Sequence, residues 1–184
     1  MISLSIVIST YNRPFECINC LKAILNQSEL DFSCHEIIVV DDNSCKKNLK
    51  IIEEFISKNN IVFIRHNKNK GLSYARNTGI FNSNKKWIIF CDDDDMWPND
   101  FLSKLIDNLN NLNNSANILI GLESIYKKSW DKTFFGKTDL KNLILKGITP
   151  PSSAQIFKLS LLKKINGYNT KILSGIDHDI WISL

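Results

Sequence analysis

Apolar residues recur along this chain with two periods, and segments of the two kinds alternate. Leu4 to Ile8 is a short apolar run that ends at Ser9-Thr10-Tyr11-Asn12, the pattern of a buried strand entering a loop. Pro14 suits a first helical turn, and Cys17, Leu21, Ile24 and Leu25 follow at helical spacing. Glu36 to Val40 is the clearest strand and stops at Asp41-Asp42-Asn43-Ser44. A helix over Leu49–Ile56 and a strand over Ile61–Arg65 come next. The polar loop Asn67–Gly71 leads to Ser73, a suitable N-cap for a helix through Phe81. Trp87 to Phe90 is a fourth strand, and it runs into Asp92-Asp93-Asp94-Asp95.

Strands alternating with helices predict an α/β fold, a mostly parallel sheet with helices on its faces. Ligands of such sheets sit beyond the carboxyl ends of the strands. Thr10-Tyr11-Asn12, Asp41-Asp42 and Asp92 to Asp95 all lie at such ends, so they are expected to meet along one edge.

The second half is less regular. Phe101, Leu102, Leu105, Ile106, Leu109 and Leu112 mark an amphipathic helix, and Ile118–Ile125 reads as a strand. Tyr126 to Lys137 reads as loop, Pro150-Pro151-Ser152-Ser153 bounds another short strand, and a helix over Leu159–Ile165 ends at Asn166-Gly167. The last residues, Gly175 to Leu184, fall within a further helix, an ending that suggests a truncated chain.

Composition narrows the class without deciding it. The 184 residues suit one compact domain, 43% of them hydrophobic and 23% charged, with 7 Gly and 4 Pro. The net charge of +4 is spread over lysine pairs such as Lys46-Lys47 and Lys163-Lys164, which read as solvated faces. A nucleic-acid partner would call for tighter basic clustering with interleaved aromatics, so none is expected. The five cysteines form no disulfide or zinc framework, and Cys17 and Cys20 read as small residues on a helix. Reduced thiols fit a cytoplasmic protein, with peripheral association at the inner face of a membrane left open.

The acidic run carries the chemistry. Successive aspartates after a buried strand raise one another's pKa, and a divalent cation removes that cost. Oxygen ligands with open water positions suit Mn²⁺ or Mg²⁺, which also bind diphosphate oxygens. The Asp-x-Asp spacing turns Asp92 and Asp94 the same way; the competing reading is a solvated turn in which Asp95 or a neighbour caps the next helix.

Four motifs then arrive in order: Val7-Ile-Ser-Thr-Tyr-Asn-Arg-Pro14, Ile37-Ile-Val-Val-Asp-Asp-Asn-Ser44, Asn69-Lys-Gly-Leu-Ser-Tyr-Ala-Arg-Asn-Thr-Gly79 and Phe90-Cys-Asp-Asp-Asp-Asp-Met-Trp97. Together they resemble the inverting glycosyltransferase family 2. The resemblance implies a GT-A fold over residues 1–184, a nucleotide-sugar-binding half at 1–97 followed by an acceptor-binding half at 98–184. It implies that Thr10, Tyr11 and Arg13 line the nucleotide pocket, with Tyr11 against the base and Asp41 accepting a hydrogen bond from it. It sets Arg76 and Asn77 near the nucleotide, Asp92 and Asp93 toward the ribose, and Asp94 on the metal.

Gly175-Ile-Asp-His-Asp-Ile-Trp181 resembles the family's catalytic segment, with Asp177 as base and Asp179 as its alternative in a shifted register. Ile176 stands where the family has Glu, which puts acceptor contacts in doubt.

The implied reaction moves a sugar from a nucleoside diphosphate donor, UDP foremost, to a glycan or lipid-linked glycan acceptor, with inversion. Cell-surface polysaccharide, lipopolysaccharide or glycoconjugate synthesis is the expected setting. Two competitors remain: a donor-binding domain without turnover, and an Asp-x-Asp phosphatase. The phosphatase motif would follow the first strand, whereas here it follows the fourth. No GxxxxGK[ST] loop, GxGxxG turn or Ser-His-Asp pattern is present.

Overall fold

The computed structural model of the chain describes residues 2–28, 31–111, 118–120, 152–172 and 174–184. The strands are β1 (Leu4–Thr10), β2 (Glu36–Asp41), β3 (Val62–Arg65), β4 (Trp87–Asp92), β5 (Ile118–Ile120) and β6 (Gln155–Lys158). The helices are α1 (Pro14–Leu25), α2 (Lys46–Ile56), α3 (Leu72–Asn82), α4 (Phe101–Asn111), α5 (Leu159–Lys164) and α6 (Ile176–Ser183), with short 3-10 turns at Phe32–Cys34 and Ser152–Ala154. The sheet runs β3-β2-β1-β4-β6-β5. Its first three pairings are parallel, whereas β6 is antiparallel to both β4 and β5. This is the expected α/β architecture with a mostly parallel sheet.

Strand periodicity accounts for the three layers, because successive side chains face opposite sides of a sheet. Ile6, Ile8, Ile37, Val39, Ile89 and Cys91 face one way and pack against Cys17, Cys20, Leu21 and Ile24 of α1, Ile52 of α2 and Leu102, Leu105 and Leu109 of α4. Val7, Ile38, Val40, Ile88 and Phe90 face the other way, against Ala75 and Ile80 of α3, Leu162 of α5, Tyr168 of the loop after α5 and Ile180 of α6. Apolar burial at about 25 cal/mol per Å² on both faces is what holds the sheet between its helices.

The first three helices each start by a different device. Pro14 opens α1, Cys45 precedes α2 in extended conformation, and Gly71 caps α3 at φ +90°. The last corrects the expectation for Ser73, which lies inside the helix and is buried. The positive φ required at the cap favours glycine, and Ser73, two residues further on, cannot serve. At Gly79 the helix meets the sheet directly, since a Cβ built there would lie 2.3 Å from Cγ1 of Val7.

Strands β1, β2 and β4 run further than their apolar runs suggest, because Ser9-Thr10, Asp41 and Cys91-Asp92 continue the ladder. The loop expected at Tyr126–Lys137 lies outside the described residues, and of the Ile118–Ile125 strand only Ile118–Ile120 is described. No described helix is long and apolar enough to cross a membrane.

Candidate functional site

The parallel strands end on a common edge, and their register fixes which residues meet there. Thr10 lies opposite Asp41, Asp41 opposite Arg65, and Ser9 opposite Asp92. Beyond this edge opens a cleft of about 470 Å³. Ser9, Thr10, Tyr11 and Arg13 line it from the end of β1, Asp42 from β2, Asn69, Gly71, Leu72 and Ala75 from the start of α3, and Asp92, Asp93 and Asp94 from β4. Tyr11 is exposed there, and the Ser9 hydroxyl is buried with no hydrogen-bond partner.

The acidic run is unevenly satisfied. Asp93 accepts from the Thr10 hydroxyl at 2.7 Å and from Nη1 of Arg13 at 3.3 Å. Asp94 meets the same Arg13 nitrogen at 2.8 Å, while its side chain stays 57% exposed. Burial holds the Asp93 carboxyl above the usual carboxylate range, against the opposing pull of Thr10 and Arg13. Burial does the same to Asp95, against a hydrogen bond from Ser153. Asp93, then Asp94, raise the Arg13 guanidinium. Four carboxylates and one guanidinium therefore line the cleft, which gives its wall an excess of acidic groups.

No three His, Cys, Asp or Glu side chains among the described residues converge on one point to cage a metal. The donor set instead suits an ion that takes part of its shell from protein and the rest from water and phosphate, as Mg²⁺ does. Asp94, exposed and paired with a half-exposed arginine, is the most open carboxylate of the run.

At the end of β2 the carboxylates are already occupied. Asp41 is fully buried, accepting from the Ser44 amide at 3.1 Å and pairing with Nε of Arg65 at 3.2 Å. Asp42 accepts from the amides of Lys70 and Gly71, at 2.9 and 2.7 Å, and its other partner is Nδ1 of His66 at 2.6 Å. The far ring nitrogen of His66 reaches the Thr78 hydroxyl at 2.8 Å, which ties the loop before α3 to the helix itself.

Arg76 lies behind the cleft rather than in its lining. Its Nη1 donates to Asp177 at 2.8 Å, and Nη2 donates to Asp92 at 2.9 Å and to the Ser152 hydroxyl at 2.6 Å. Only 2% of the side chain is exposed, and the guanidinium lies 5.6 Å from the Phe90 ring centre and 5.3 Å from that of Tyr168. Burial alone would lower it; the Tyr168 oxygen, Asp92 and Asp177 outweigh that and leave it raised. Its acidic partners are Asp92 and Asp177. Asn77 holds both the N–H and the carbonyl of Tyr168, at 2.7 and 2.8 Å.

Residues 5–166 match the family described as glycosyl transferase family 2. The chain belongs to that family. It is 28% identical over 186 residues to the uncharacterised glycosyltransferase MJ1057 of Methanocaldococcus jannaschii, covering 97% of this chain and 63% of that protein. Among solved structures it superposes on S. aureus TarS residues 1–349 with a TM-score of 0.80, at 20% identity, over 99% of this chain and 55% of that one. TarS has also been solved with UDP-GlcNAc, and there the TM-score is 0.78. The Pyrobaculum calidifontis mannosyltransferase PcManGT, solved with GDP-Man and Mn²⁺, gives 0.75 at 16% identity, over 96% of this chain and 50% of that one. These likenesses establish the GT-A fold. The chain thus spans less than two thirds of the length of these relatives.

For this family 2 chain, the expected residues Thr10, Tyr11, Arg13, Asp92, Asp93 and Asp94 share the cleft, and Asp177 joins them through Arg76. Asp41 and Arg76 stand one step behind it. Ser152 and Tyr168, which complete the Arg76 surroundings, carried no signal in the sequence beyond their loop-like neighbours.

Proposed function

We propose that this family 2 domain transfers a hexosyl or N-acetylhexosaminyl group from a UDP-linked donor to an acceptor hydroxyl, with inversion, and that Asp177 is the base. Residues 1–97 would hold the nucleotide sugar and residues 98–184 the acceptor. The observation that carries this reading is that Asp92, at the edge of the cleft, and Asp177, on α6, are joined by a single guanidinium. A donor-side carboxylate and a carboxylate able to take a proton thus belong to one site, as direct displacement requires.

Within this reading Tyr11 lies against the base, Thr10 and Arg13 stand at the nucleotide, and Asp92 and Asp93 face the ribose. Asp41 and Asp42 act indirectly, by fixing the loops around the nucleotide. Asp94 would hold Mn²⁺ or Mg²⁺; when bound, the ion supplies positive charge to the diphosphate as it leaves. Asp177, with 27% of its side chain exposed, takes the proton from the acceptor oxygen as that oxygen forms its bond to the anomeric carbon and the diphosphate departs. The donor complexes known for TarS and PcManGT support the substrate class. A glycan or lipid-linked glycan acceptor, and a role in building surface polysaccharide or glycoconjugate, belong to the same proposal.

Asp177→Asn keeps size and removes the base. Sugar transfer by the native protein should fall roughly 10²-fold or more, mainly in kcat, with donor affinity nearly unchanged. Asp179→Asn is the control, because two residues along a helix turn a side chain about 200° away. Full transfer by Asp177→Asn with an inactive Asp179→Asn would move the base to Asp179. Donor binding without any transfer by the native protein would make the domain a binding module.

A further inference from the structure

A guanidinium withdrawn from water needs its charge answered, and one carboxylate suffices. Arg76 has two, Asp92 and Asp177, together with the Ser152 hydroxyl and two aromatic ring faces. With both carboxylates ionised the group carries one negative charge in excess. That excess has a chemical use. When Asp177 takes a proton, Arg76 still has Asp92 as counter-ion, so no buried cation is left unpaired.

The local backbone needs the same contact. Helix α6 starts from Gly175 at φ +71°, in the left-handed region, with no side chain capping it. Asp177 is in the first turn. Its carboxylate is therefore set by what it bonds to, and Arg76 Nη1 is that bond.

We infer that Arg76 is a positioning residue: it holds the Asp177 carboxylate at the edge of the cleft and couples its place to that of Asp92. The inference rests on Asp177 being the base. It is separable from that reading, because the bridge can be measured without turnover.

Arg76→Lys is the probe, since an ammonium keeps the charge but cannot span two carboxylates with a planar fork. In the unliganded native protein, amide exchange over residues 177–181 should accelerate about tenfold, with β1, β2 and β4 unchanged. Nucleoside diphosphate release is then followed with a panel of UDP-GlcNAc, UDP-glucose and GDP-mannose, adding simple glycosides as acceptors. The kcat should fall roughly 10- to 100-fold while donor affinity stays within about threefold, the scale of a misplaced catalytic group. In an Asp177→Asn background Arg76→Lys should cost nothing further, as two groups acting as one unit are not additive.

Unchanged α6 exchange would overturn the inference, and so would an equal loss in both backgrounds, or a loss of donor affinity with kcat intact. Full turnover by Asp177→Asn alone would remove the base assignment instead. If no donor in the panel turns over, the exchange measurement decides the bridge. Should Arg76→Lys fail to fold, Ser152→Ala removes one hydrogen-bond partner of Arg76 and should give a smaller effect of the same pattern.

Discussion

Two strand ends in this protein carry the same residue in the same setting and use it in opposite ways. At the end of β2, Asp41 and Asp42 are buried and their oxygens are filled by backbone amides, Arg65 and His66. At the end of β4, Asp93 and Asp95 are held above the usual carboxylate range by burial, and Asp94 projects toward solvent beside one arginine. What differs is the supply of donors. After β2 the carboxylates meet backbone amides, Ser44 from their own loop and Lys70 and Gly71 from the loop before α3, whereas the run after β4 offers further carboxylates. The first pair builds the frame of the site, and the second run is left able to bind.

Substitutions should divide along that line. Asp42→Ala removes the acceptor of two part-buried amides and a buried histidine, and should cost about 3 kcal/mol. For a chain of this size that lowers Tm by roughly 6–12 °C in a thermal melt. A melt within 1 °C of the parent would mean that the two strand ends are not different in kind.

Asp94→Ala should do the reverse. It should remove most of the advantage that Mn²⁺ gives to UDP binding, at least about tenfold or 1.4 kcal/mol, and leave Tm nearly unchanged. Calorimetric titration with Mn²⁺ and with EDTA measures this. Retained metal dependence, together with its loss in Asp92→Ala or Asp95→Ala, would move the ligand along the run.

The smallest effect concerns pH. Raised carboxyls hold protons more tightly in the folded state, so Asp93 and Asp95 add stability at low pH that fades as pH rises through their raised range. A cation on the neighbouring Asp94 favours their ionised form and so competes with those protons. The extra Tm given by Mn²⁺ with UDP should therefore shrink as pH falls, in melts run from about pH 7.5 downward. A pH-independent increment would place the ion away from these carboxylates.

Much of this was legible in the chain. Short apolar runs in β1, β2 and β4 marked buried strands, whose successive residues fill both faces of the sheet, and turn residues after them marked the edge that holds the cleft. Position-specific chemistry was less so. Ser73 matched the preferences for a helix cap, but backbone geometry had already given that place to Gly71. Arg76 looked like a residue facing the ligand because only its own helix was visible. Its partners lie 16, 76 and 101 positions away, and which of them an arginine selects depends on how the layers close. Asp41 and Asp42 were ambiguous for the same reason, since Arg65 and His66 come from the next strand and the residue after it.

Two glycines give α3 the character of a machined rail. On one side Gly79 brings the helix flush against Val7 of the central strand; on the other Gly167 brings the loop before Tyr168 so near that a Cβ on it would lie 2.2 Å from Oδ1 of Asn77. Both seatings lie within one turn of Arg76. With the rail located from two directions, the reach of a single side chain becomes a fixed gauge. The gap between the strand that ends in Asp92 and the first turn of the helix that carries Asp177 is then spanned by one arginine.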